Sequence, residues 1–161
     1  MEKTISILGT NNRYLMKKVT KTLVEEKIRK CSDNWSIMNQ HYLLSECNET
    51  TSKEINKKIS GYKQQDIKKN RYEESEFITF DYVIGLMKHS QLMCRYCSCE
   101  LYILYDNVRD KKQWTIDRID NSIGHNMSNV HLSCLGCNLK RRNTSDAKFN
   151  FTKNLTIHKL E

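Results

Sequence analysis

Two Cys-x2-Cys pairs, Cys94-Arg95-Tyr96-Cys97 and Cys134-Leu135-Gly136-Cys137, bracket the segment QWTIDRIDNSIGHNMSN (residues 113–129), and the second pair runs directly into Asn138, Leu139, Lys140, Arg141 and Arg142. Each pair can present two thiolates from one tight turn, and two such turns supply the four soft ligands that tetrahedral zinc takes. The 36 residues between Cys97 and Cys134 leave room for a hairpin and loop hung between the turns. The chain has seven cysteines, an odd count, and no apolar N-terminal run resembling a signal peptide. These features predict a reducing, intracellular compartment, where such pairs read as metal ligands before disulfides. Cys94, Cys97, Cys134 and Cys137 are therefore assigned to structural Zn2+. Cys99 offers a competing Cys-x-Cys geometry and is set aside, while Cys31 and Cys47 have no partner spacing. A Cys2His2 set of Cys94, Cys97, His125 and His131 puts 27 residues where fingers have about a dozen, and it strands the second pair.

Outside this segment the chain is basic. Its 27 Lys and Arg against 19 Asp and Glu give a formal charge of +8 over 161 residues, which suits a polyanion, because neutralised phosphates release condensed counterions. At 38% hydrophobic the composition is low for one large core, and no stretch approaches the ~20 apolar residues of a membrane span. The expected architecture is α+β: a mainly helical, basic accessory region over residues 1–76, then a small zinc-stapled domain over 77–161 with its core at about 92–145. Apolar positions Leu15, Met16, Val19, Leu23 and Ile28 predict an amphipathic helix from residue 11 or 12 to about 30. A short helix around His41 to Leu44 is one reading of the next stretch. Thr51 and Glu54 fit a capping box for a helix burying Ile55, Ile59 and Tyr62, and Thr79 caps a third through Met87. Leu101 to Tyr105, Trp114 to Ile119 and Asn129 to Ser133 read as strands. A helix opens at Asn138 and runs to about Arg142. Phe149, Phe151, Leu155 and Ile157 are expected to pack back on the domain.

Asp117-Arg118-Ile119-Asp120-Asn121, Gly124-His125-Asn126, Asn129 and Cys137-Asn138-Leu139-Lys140, together with the cysteine pairs, resemble the HNH endonuclease family in its four-cysteine form. The resemblance spans about residues 92–145, and the overall wording, including Tyr62-Lys63-Gln64-Gln65-Asp66-Ile67 ahead of the domain, is also similar to HNH proteins of large DNA viruses and phages. It implies a ββα-metal fold and a nuclease or nickase acting on DNA, double-stranded DNA being favoured, with Mg2+ or Mn2+ as the catalytic ion. Asp117 and Asn138 match the family's two metal-binding positions, and Asn129 matches the Asn that pins the loop between the strands. The same residues make sense chemically, since a hard divalent ion on a scissile phosphate is content with a carboxylate, an amide oxygen, water and phosphate. The chain departs from the family beside Asp117, where Arg118 stands in place of the general-base histidine. A guanidinium stays protonated and cannot take a proton from water, though it can grip phosphate.

The base is then expected from His125 in the loop, His131 on the returning strand, or, more weakly, Asp120. Lys140, Arg141 and Arg142 are expected to meet DNA phosphates. The alternative function is a zinc-dependent DNA-binding module whose nuclease centre has decayed. A zinc deaminase is excluded because the His-x-Glu and Pro-Cys-x-x-Cys elements are missing from a chain with no proline. The sequence implies no membrane partner and leaves a homodimer open.

Overall fold

The computed structural model describes residues 40–155. The helix expected over 11–30, and Ile157 in the closing segment, lie outside the described residues. Within them the fold is α+β. Helices α1 (Gln40–Glu46), α2 (Glu49–Lys68) and α3 (Phe80–His89) precede a two-stranded antiparallel sheet of β1 (Trp114–Arg118) and β2 (Val130–Cys134). Helices α4 (Leu135–Arg141) and α5 (Asp146–Asn154) close the order. No helix among the described residues is long and apolar enough to cross a membrane.

Helix α2 begins two residues ahead of the expected capping box. Asn48 is its N-cap and accepts from the Thr51 amide at 2.9 Å, which leaves Thr51 buried inside the first turn. The stripe Ile55, Ile59, Tyr62 and Asp66 follows the 4-3-4 spacing of one helical face, and both Ile55 and Asp66 are fully buried. Helix α3 is capped by Thr79, whose hydroxyl accepts from the Tyr82 amide at 3.2 Å. It buries Val83 and Met87 in the same core as Ile55, Leu92, Leu101, Trp114, Ile116 and Leu132.

The run Leu101 to Tyr105, expected as a strand, is not one. All five residues are buried, yet the segment makes only the isolated bridge Tyr102–Gln113. Leu101 and Tyr102 bond to the Leu92 and Lys112 carbonyls, and beyond them a side chain takes over: Gln40 of α1 accepts from the Ile103 and Leu104 amides at 2.7 and 3.2 Å and donates to the Leu104 carbonyl at 3.2 Å. Buried peptide groups need partners but not necessarily another strand.

Trp114 pairs with Cys134, Ile116 with Leu132, Asp117 with His131 and Arg118 with Val130. The side-chain period of two therefore puts Thr115, Asp117, His131 and Ser133 on one face, and Trp114, Ile116, Leu132 and Cys134 on the other. Helix α4 starts three residues before Asn138, because Cys134 caps it with its own sulfur, accepting from the Cys137 amide at 3.2 Å. In α5, Phe149 packs edge-on against Tyr96 at 4.8 Å. Phe151 and Leu155, expected to pack there too, are 68% and 51% exposed, since the helix touches the domain along one edge and buries none of its residues fully.

Candidate functional site

The four sulfurs of Cys94, Cys97, Cys134 and Cys137 lie within 4.8 Å of one another. Cys97 and Cys134 approach to 3.9 Å, against the roughly 3.8 Å between sulfurs of a tetrahedron with ~2.3 Å metal–sulfur bonds. Backbone amides already point at the cluster, with the Cys134 N–H on Cys94 Sγ at 3.3 Å and the Cys137 N–H on Cys134 Sγ at 3.2 Å. Such donors stabilise thiolates, so the cluster is positioned to bind a metal ion by its chemistry as well as its spacing. Cys99 is not one of the four.

This cluster ties the Cys94–Cys97 turn to the junction of β2 and α4. Holding Cys137 in the first turn of α4 sets the next residue, Asn138, beside β1, where its Nδ2 donates to Thr115 Oγ1 at 3.1 Å. The amide nitrogen is thereby used, and Oδ1 is the atom left to meet a ligand. Asn138 lines a cavity of about 270 Å³ together with Tyr62, Gln65, Asp117, Arg118, Asn121, His125 and Arg142. Asp117, Arg118, His125 and Asn138, singled out from sequence for their chemistry, thus meet in one place.

Two of them have partners the sequence did not disclose. The Asp117 carboxylate accepts from Arg141 Nη1 at 2.7 Å through Oδ1 and from the Tyr96 hydroxyl at 2.9 Å through Oδ2. Burial raises its pKa, but donation from the His131 side, the Arg141 charge and Tyr96 outweigh that and hold the carboxyl below its usual range. His125 Nδ1 lies 2.9 Å from both carboxylate oxygens of Asp66, and the His125 backbone N–H donates to Asp66 Oδ2 at 2.6 Å. The imidazole is buried and stacks on Tyr62 with ring centres 4.6 Å apart. Burial, assisted by the Arg118 charge, lowers the His125 pKa from its usual value despite the opposing Asp66.

The other candidates stand elsewhere. His131 faces Asp117 across the sheet, with Nε2 2.8 Å from the Tyr96 hydroxyl and 3.5 Å from Asp146 Oδ1, and it does not line the cavity. The Asp120 carboxylate turns into its own loop, accepting from the Ser122 amide and hydroxyl at 2.8 and 2.7 Å. Asn129 spans that loop: its Nδ2 donates to the Asp120 and Gly124 carbonyls at 2.9 and 3.0 Å, and its Oδ1 accepts from the Asp120 amide at 2.8 Å. Lys140 and Arg142 are exposed. Arg141, expected at a phosphate-facing surface, is instead 1% exposed, donating to Asp117 and to the Arg118 and Ile119 carbonyls at 2.7, 2.7 and 2.9 Å. Helical spacing is the reason, since Arg141 lies four residues beyond buried Cys137 and so faces the sheet.

A larger cavity of about 520 Å³, lined by Ile119, Asp120, Arg141 and Asp146 among others, holds less chemistry. Its Arg141 is turned to Asp117 and its Asp120 is closed on Ser122.

Neither Asp66 nor Tyr96 is given a role by the sequence, although Asp66 lies in the Tyr62-to-Ile67 stretch that carries part of the resemblance. Asp66 left a signal, being the one acid on the apolar stripe of α2, whereas nothing in the spacing around Tyr96 marks it. Gly124 also belongs to the site. A Cβ there would stand 2.3 Å from the Arg71 carbonyl and 3.0 Å from Asp66 Oδ2. Gly124→Ala is expected to cost about 1–3 kcal/mol by overpacking and to pull His125 from Asp66. A thermal unfolding midpoint equal to wild type would show that the loop yields freely.

No family model, no curated protein and no solved structure matches the chain.

Proposed function

We propose that the protein is a metal-dependent endonuclease or nickase of the HNH kind, hydrolysing phosphodiester bonds of DNA, with structural zinc in the four-cysteine cluster. The observation that carries this reading is the meeting of Asp117, Asn138, Arg118 and His125 in one cavity, with Asn138 delivered there by the cysteine cluster. Asp117 and the Asn138 Oδ1 are hard oxygen donors that suit Mg2+ or Mn2+. The Arg141 charge on Asp117 makes for a weakly held ion completed by water and the substrate phosphate. When bound, such an ion polarises the scissile phosphate and stabilises the leaving 3′ oxygen.

The remaining work falls to the chain. Arg118 and Arg142 supply positive charge at the cavity wall, where a phosphate loses its water and the attraction strengthens. His125 takes a proton from the attacking water. The water oxygen forms a bond to phosphorus as the P–O3′ bond breaks, its electron pair going to the 3′ oxygen, which is protonated from solvent. The imidazolium then returns its proton to solvent, leaving a 3′-hydroxyl and a 5′-phosphate. Exposed Lys140 and Arg142 extend the basic surface along the phosphate backbone, which predicts affinity falling steeply with salt.

A decayed DNA-binding module is the second reading, favoured by the same Arg141–Asp117 pair, which leaves both oxygens of that carboxylate already engaged. Incubation of supercoiled plasmid with Mg2+ or Mn2+ separates the two. The nuclease reading expects nicked circles from wild type and none from Asp117→Asn or Asn138→Ala, both still holding zinc and binding DNA. Asn at 117 keeps an acceptor for Arg141 but removes the charge paired with it, so the thermal midpoint of the variant is measured alongside to separate lost nicking from lost fold. Binding without nicking by wild type under either ion sinks the enzyme.

A further inference from the structure

We propose that Asp66, on helix α2, is a positioning residue that fixes His125 in the tautomer able to act as a base, so that α2, which also lends Tyr62 and Gln65 to the lining, is part of the reactive cavity. The inference rests on the nuclease reading and adds to it a residue outside the motif-bearing segment.

Asp66 is fully buried, and the residues around its carboxylate leave it little freedom. Oδ2 accepts from the His125 backbone amide at 2.6 Å, and both oxygens lie 2.9 Å from Nδ1. An ionised carboxylate only accepts hydrogen bonds, so Nδ1 must carry the ring proton. In the neutral ring Nε2 then keeps its lone pair, and no described residue engages it. The ring borders the cavity that Asp117, Arg118 and Asn138 also line.

Two further features hold this geometry. Tyr62, one helical turn before Asp66, stacks on the imidazole at an interplanar angle of 29°. Its hydroxyl accepts from the Ile116 amide at 3.0 Å, which ties α2 to β1. On the other side Gly124 passes beside Asp66 and so close to the Arg71 carbonyl that a Cβ would stand 2.3 Å from that oxygen and 3.0 Å from Asp66 Oδ2. The charged and titratable groups acting on the ring are Asp66 and Tyr62 from α2 and Asp117 and Arg118 from β1, of which Asp66 alone bonds to it.

The design resembles in principle any base whose far nitrogen is held by a carboxylate: orientation and tautomer are set before substrate arrives. It also gives physical sense to Arg118. With a base supplied from the loop, the position beside Asp117 is released to carry a fixed positive charge.

The test uses the full chain loaded with zinc. Two-bond nitrogen–proton NMR correlations of wild type report the tautomer directly, and Nδ1–H on His125 is expected; a resting Nε2–H form overturns the proposal without any variant. Asp66→Asn presents an amide that can donate to Nδ1 and so favour the wrong tautomer. Single-turnover nicking should fall by about 10²–10⁴-fold in the rate constant, with DNA affinity and zinc content unchanged. Wild-type turnover in a folded Asp66→Asn protein overturns the positioning role while leaving the nuclease reading intact. A wild type that never nicks removes the nuclease reading itself, and the catalytic role of Asp66 with it.

Discussion

Removing the metal proposed for the Cys94, Cys97, Cys134 and Cys137 cluster is expected to unfold the unit built from β1, β2 and α4. That sheet has only two strands of five residues each, and an isolated pair of strands is marginal in water. The cluster fastens the turn at Cys94 to the end of β2 and the start of α4, which are distant in sequence. Structural zinc in small domains contributes about 10–16 kcal/mol, as much as the roughly 5–15 kcal/mol net stability of a whole domain. Titration with a chelator should therefore abolish the near-ultraviolet signal of buried Trp114 and the cooperative thermal transition, and Cys94→Ser should do the same. Cys99→Ser, outside the cluster, should not. A chelated protein shown to be metal-free that melts as before would mean the cysteines are bystanders.

Arg141→Met is the second large effect. The guanidinium is buried, bonds to Asp117 and two carbonyls at the end of β1, and is the sole cation drawn to that carboxylate within 4 Å among the described residues apart from His131. Breaking a buried pair by removing one partner costs about 3–5 kcal/mol, because the other charge stays buried. For a chain of this size that lowers the unfolding midpoint by roughly 6–20 °C. Exposed Lys140→Ala and Arg142→Ala should stay within about 0.5 kcal/mol of wild type and lose DNA affinity instead. The opposite pattern, with Arg141→Met stable but weak on DNA, would return Arg141 to the surface role its neighbours have.

How much of this was legible in the sequence depends on the distance over which each feature is specified. The two Cys-x2-Cys pairs, the N-cap at Thr79 and the two strands are each set by residues a few positions apart, and spacing or alternation exposes them. The cavity is different. Its Asp66–His125 pair joins residues 59 apart, and the Tyr96–Asp117 bond joins residues 21 apart, so neither leaves a local pattern. Arg141 shows how a local pattern misleads: Lys140, Arg141 and Arg142 read as one basic patch, but the helix turns the middle residue inward. Gln40 shows the converse, a side chain 63 residues away standing in for a strand partner and making a β-prone run irregular.

The proposed hydrolysis turns on a proton leaving water for His125 in a site where Arg118 cannot take it. Single-turnover nicking by wild type, His125→Ala and His131→Ala, at equal zinc content and saturating DNA, tests that most directly. The expected result is a loss of at least about 10²-fold in His125→Ala, the usual scale for a missing general base, with DNA affinity kept. His131→Ala should retain far more of the rate, because its ring faces Tyr96 and Asp146 rather than the cavity. Near-wild-type nicking by His125→Ala, or a larger loss in His131→Ala, would contradict the account.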